Sequence, residues 1–171
     1  MNKKIMAVML GRALLTIDAF LLLVGAPMAD YGPTHMKNPN WPPHAKFHNG
    51  QTINLSLILG VATLFLTWRR SSLPSFTDTS SSSSSARDKE AVAKLLLLQK
   101  QNMKMAAFTG SIYWIAGLAA ILYPGTMGLD PEFGGPGFPQ APLFAFAAAC
   151  GIVGSWLVGK GLGEDGTGKG E

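Results

Sequence analysis

Apolar residues in this chain gather in long runs instead of alternating with polar ones. The stretch "IMAVMLGRALLTIDAFLLLVGAP" fills positions 5–27, a second run goes from Ile53 to Trp68, and two more fill 105–123 and 141–159. Crossing a bilayer as a helix takes about 20 largely apolar residues. The pattern predicts an all-α polytopic membrane protein, one four-transmembrane-helix bundle over 1–171, with spans near 5–27, 43–69, 105–123 and 141–159. The second span is drawn back to Pro42 or Pro43 because proline suits a first helical turn. Trp41 and Trp68 then anchor its two ends at the interfaces. Pro27 and the following "MADYGPTHMKNPN" are expected to end the first span in a turn-rich loop.

Residues 71–85, with their run of serines, read as a flexible linker. The segment "RDKEAVAKLLLLQKQNMKM" reads as a helical stem that continues into the third span. In the fourth span Ala147, Gly151, Ser155 and Gly159 recur every fourth residue; in the third, Ala106 with Gly110 and Ala116 with Ala120 do the same. Such spacing lets helix backbones approach closely.

Charge sharpens the topology. Only 14% of residues are charged, against roughly 25% in soluble domains. The net charge is +4, and its cations cluster: Lys3 and Lys4, Arg69 and Arg70, Arg87 to Lys104, then Lys160. The positive-inside rule places both termini and the middle loop in the cytosol. The basic balance is thus topology, and no nucleic-acid partner is expected. The lone Cys150 excludes an internal disulfide and thiol-relay quinone reduction. Arg12 and Asp18 interrupt the first apolar run, so it reads as a retained helix and not a cleaved signal.

The candidate chemistry follows from the polar residues that remain. Intramembrane charges face a bundle interior or a polar cavity. Arg12 and Asp18 therefore read either as a cavity floor touching substrate or as a structural lock to Asn54, Thr63 or Ser111. The first loop is richer. His44 and His48, at i and i+4, share a helical face. They suit acid–base catalysis, with Asp30 and His35 assisting, or two ligands of one metal ion with Asp30 or His35 as a third. They equally suit plain capping of a rigid Pro-rich loop. Trp41 and Asn49 are candidates for substrate contact. In the second loop, Glu132 meets His44 or His48 if that loop folds over the first. Three histidines are too few for the histidine-box di-iron oxygenases.

"GRALL", "ADYGPTH" and "NPNWPPHAKFHNGQ" resemble a family of small four-span membrane proteins of fungi and bacteria. The shared signature falls here on Asp30, Thr34, His35, Asn38, Pro39, Trp41, Pro42, Pro43, His44, Lys46, Phe47 and His48. Lys46 stands where arginine is commoner, which keeps the charge and loses the guanidinium fork. The resemblance covers about the first 70 residues closely and the rest in layout. The family's function is unknown; the resemblance implies a setting beside secondary-metabolite pathways, with the endoplasmic reticulum as location. Layout alone is similar to emopamil-binding, sterol-isomerase-like bundles.

The expected function is a membrane-embedded enzyme acting on a lipophilic terpenoid or polyketide intermediate. Its chemistry would be isomerisation, cyclisation, or epoxide or ester opening, with no cofactor. The alternatives are a non-catalytic scaffold or accessory subunit, and a metal-dependent enzyme using the His-x-x-x-His pair. Expected partners are the bilayer, a lipophilic small molecule, and either a second copy or pathway enzymes. Four spans without a repeat disfavour transport.

Overall fold

The computed structural model describes residues 2–69, 84–135 and 137–163. Among these described residues, four helices are long and apolar enough to cross a membrane. We label them α1 (Lys3–Asp30), α2 (Pro43–Trp68), α3 (Ser84–Ala119) and α4 (Ala141–Gly161). Most of the expected serine-rich linker lies outside the described residues; Ser84 and Ser85 already belong to α3. Each helix packs on its neighbour in the chain, and α4 closes against α1, the most extensive contact of all.

Pro27 does not end α1. The helix widens to a π turn over Leu21–Gly25 and continues to Asp30. The cause is the proline itself: it has no N–H to give the carbonyl of Leu23, and its ring would collide with that carbonyl. A widened turn just before it relieves both problems, and Ala26 N–H bonds to the Leu21 carbonyl instead. The extra turn carries Asp30 on the end of a helix and not in a loop. At the start of α2 the prolines act in the ordinary sense: Pro42 is extended, and Pro43 opens the helix where a missing N–H costs nothing.

Small residues set the closest approaches. A side chain at Gly11 would strike the backbone of Gly154, so α1 and α4 touch main chain to main chain. The buried row on α4 is Ala147, Gly151, Gly154 and Val158, whereas nothing packs within 4 Å of a Cβ built at Gly159. A row stepping strictly by four drifts off a face that turns every 3.6 residues. Steps of four and three keep to it. On α3, likewise, Ala106 and Gly110 are buried while Ala116 faces outward, as does Ala120 in the turn just after it.

Two apolar clusters result. One gathers Leu15, Met103, Ala106 and Val158; the other gathers Leu22, Ala26, Trp114, Ala147 and Ala148. Asp18 lies between them, fully buried. Large side chains such as Phe20, Ile58, Phe65, Phe108 and Ile152 point outward, as lipid-facing helices require.

Candidate functional site

The polar residues fall into three groups. The first is the buried carboxylate in mid-helix. Trp114 Nε1 donates to Asp18 Oδ1 at 2.7 Å. The second oxygen, Oδ2, has no hydrogen-bond partner and rests against Gly110, where any side chain would collide with it. Gly151 closes the other side. Asn54, Thr63 and Ser111 do not hold Asp18. Asn54 is exposed, Thr63 meets the Thr109 hydroxyl at 2.9 Å, and Ser111 Oγ donates to the Ala148 carbonyl at 3.2 Å. Arg12 does not pair with Asp18 either. Its guanidinium lies over the Trp68 ring, 5.4 Å from the centroid, and Trp68 Nε1 donates to Thr16 Oγ1 at 3.0 Å.

The second group is the histidine pair. His44 Nε2 and His48 Nε2 are 3.0 Å apart, and His48 Nδ1 is 2.8 Å from Gln51 Oε1. Because Gln51 Oε1 only accepts, His48 Nδ1 donates to it; in the neutral pair His48 Nε2 then accepts from His44. The shared helical face is therefore real, but both rings are exposed. Among the described residues no third His, Cys, Asp or Glu completes a metal-ligand group. Neither ring lines the cavity described next. Asn49 is buried and does not line that cavity, and its Oδ1 is unpartnered.

The third group surrounds a cavity of about 410 Å³ between the two loops. Asp30, Thr34, His35 and Trp41 come from the end of α1 and the first loop; Asp130, Gln140 and Phe144 come from the second loop and α4. Ala29, Met127, Leu129 and Pro139 supply apolar wall. The first loop is tied by its own backbone: Met36 N–H bonds to the Asp30 carbonyl, Lys37 N–H to Gly32 and Asn38 N–H to His35. Thr34 Oγ1 stands 2.8 Å from His35 Nδ1, and the His35 ring meets Trp41 edge-on at 5.2 Å. His35 Nε2 has no hydrogen bond among the described residues. Tyr113 Oη donates to Asp30 Oδ2 across 3.5 Å, the long limit of such a bond.

Glu132 fastens the two loops together. Asn38 Nδ2 donates to Glu132 Oε1 at 3.0 Å and Asn40 Nδ2 to Oε2 at 3.2 Å. Asn38 is 1% exposed, and its Oδ1 accepts from Asn40 N–H at 2.8 Å, which fixes the amide orientation. The carboxylate thus takes two asparagines and neither His44 nor His48. Sequence reasoning passed over Trp114, Tyr113 and Gln140, and named Asn38 only as part of the loop signature. The signal for the first two was present: a Tyr or Trp polar atom inside an apolar span needs a partner.

The described residues are all-helical apart from turns and loops, and four of their helices are long and apolar enough to cross a membrane, which makes this a multi-pass membrane protein by class. Within it, residues 14–162 match the model of a family of unknown function, DUF6640, and the chain belongs to that family. No curated protein and no solved structure matches the chain.

Proposed function

We propose that this chain is a membrane-embedded enzyme that moves protons on a lipophilic small molecule. The observation that carries the reading is the juxtaposition of Asp30 and His35 in one cavity whose remaining wall is largely apolar and aromatic. A cavity of this size with few polar groups suits a small ligand. An Asp and a His facing one ligand supply a base and an acid. One withdraws a proton and the other returns one, so isomerisation or cyclisation needs no redox partner. Thr34 orients the His35 ring, leaving Nε2 for the substrate. Trp41 and Phe144 put aromatic rings in the wall, and a ring face against the ligand stabilises a carbocation-like intermediate. A setting in secondary metabolism, the endoplasmic reticulum and cytosolic termini completes the proposal; it rests on the signature of the first loop and on the lysine and arginine distribution.

The test is deletion of the protein in its host, with metabolite profiling and returned copies. Asp30→Asn and His35→Ala copies should leave a precursor accumulated, whereas a His44→Ala/His48→Ala copy should clear it. Full rescue by both cavity variants, each expressed at the wild-type level, overturns the assignment.

A further inference from the structure

We propose that the molecule taken by this cavity carries a protonated amine on an apolar body. The inference rests on reading the cavity as the substrate site and adds the class of the ligand. Two carboxylates line the cavity, Asp30 and Asp130, with the His35 imidazole on the same wall, and among the described residues no lysine or arginine lines it. Both have acceptor capacity to spare. Asp130's side chain takes no hydrogen bond among the described residues, and Asp30 takes one long bond, from Tyr113. The first loop does own a cation, Lys37, but its ammonium lies over the Tyr31 ring, 5.1 Å from the centroid, and outside the cavity. The nearest other acid, Glu132, is already occupied by Asn38 and Asn40. Within the cavity wall, then, the fixed charge is negative, and the only group there that can offset it is the His35 imidazole.

Asp30, half-buried beside apolar wall, gains most from a charged donor; Asp130 is exposed and adds its charge from the rim. An ammonium held at Asp30, within the field of Asp130, provides that donor. The rings of Trp41 and Phe144 in the same wall attract a cation by their faces and repel an anion. Ala29, Met127, Leu129 and Pro139 receive the hydrocarbon part. A carboxylate- or phosphate-headed lipid meets the opposite arrangement, and like charge against like costs affinity. A neutral alcohol satisfies the acceptors but not the charge.

The experiment uses the purified full chain in lipid nanodiscs and three probes with one rigid body: 1-adamantylamine, 1-adamantanol and 1-adamantanecarboxylate. Binding is read by calorimetry and by ligand-observed NMR. The amine should bind at least about tenfold more tightly than the alcohol, and the carboxylate most weakly. Asp30→Asn and Asp130→Asn should each erase most of that preference. His44→Ala/His48→Ala should leave it intact. Thermal melting of each variant separates lost affinity from lost fold. Equal binding of the amine and the alcohol, preference for the carboxylate, no binding of the amine, or selectivity unchanged in folded aspartate variants overturns the proposal. Loss of turnover in the Asp30 and His35 copies without amine preference sinks the ligand class alone. Amine preference with turnover intact in those copies sinks the enzymatic reading alone.

Discussion

Asp18 and Asp30 stand on the same helix and draw their donors from adjacent residues of α3, Trp114 and Tyr113. Their surroundings could hardly differ more. Asp18 is 0% exposed, takes a 2.7 Å bond from an indole, and is walled by glycines that leave no room for anything else. Asp30 is half-buried, takes a 3.5 Å bond from a phenol, and borders open volume beside a histidine. A carboxylate sealed among helices holds packing together. One with spare acceptor capacity and space before it is equipped to meet a ligand. Polarity within a membrane-spanning helix does not by itself mark a reactive site; unfilled volume next to it does.

The contrast has four consequences, the largest at the sealed site. Gly110→Val drives a side chain into the Asp18 carboxyl, and overpacking of this kind costs about 1–3 kcal/mol or more. The variant should lose its monodisperse peak in detergent size-exclusion; a normal peak with unchanged melting would show that the seal is slack. Trp114→Phe strands Asp18 without its donor, at about 1–3 kcal/mol. Melting should drop by several degrees, while Asp30→Asn moves it much less. Equal losses in the two variants would erase the distinction between sealed and open carboxylates.

Glu132→Gln replaces an acceptor of two amide donors by a group with only one acceptor oxygen. Amide exchange over residues 125–140 should quicken several-fold with little change in melting, because the clasp ties loops and not helices. Protection equal to wild type would mean that the loops are held by other contacts. The smallest effect belongs to His44→Ala/His48→Ala. The two rings are exposed, so stability should stay within about 0.5 kcal/mol of wild type. A large loss would reveal that the pair is structural after all.

Four apolar helices were legible because a long unbroken run of apolar residues has few other solutions. The i and i+4 rule likewise brought His44 and His48 together without any structure. The partner of Asp18 was not legible. Trp114 lies far along the chain, and which residue faces Asp18 depends on how α1 and α3 are rotated. The same limit hid the cavity, whose wall draws on residues from Ala29 to Phe144. Glu132 was legible as a reaching carboxylate, but its partners were decided by loop geometry that placed two asparagine amides in its way. Pro27 misled for a local reason: one proline stops a helix only if the preceding turn cannot widen.

That widened turn also sets the angular phase of α1. Along a regular helix Asp30 would sit about 120° around the axis from Asp18. The π turn over Leu21–Gly25 absorbs one residue without advancing the rotation, and the offset shrinks to about 20°. Both carboxylates then look toward the same neighbour, where consecutive aromatic residues of α3 receive them. The single surplus residue acts as a phase shifter: it lets one continuous helix serve a sealed joint at its middle and an open chamber at its end.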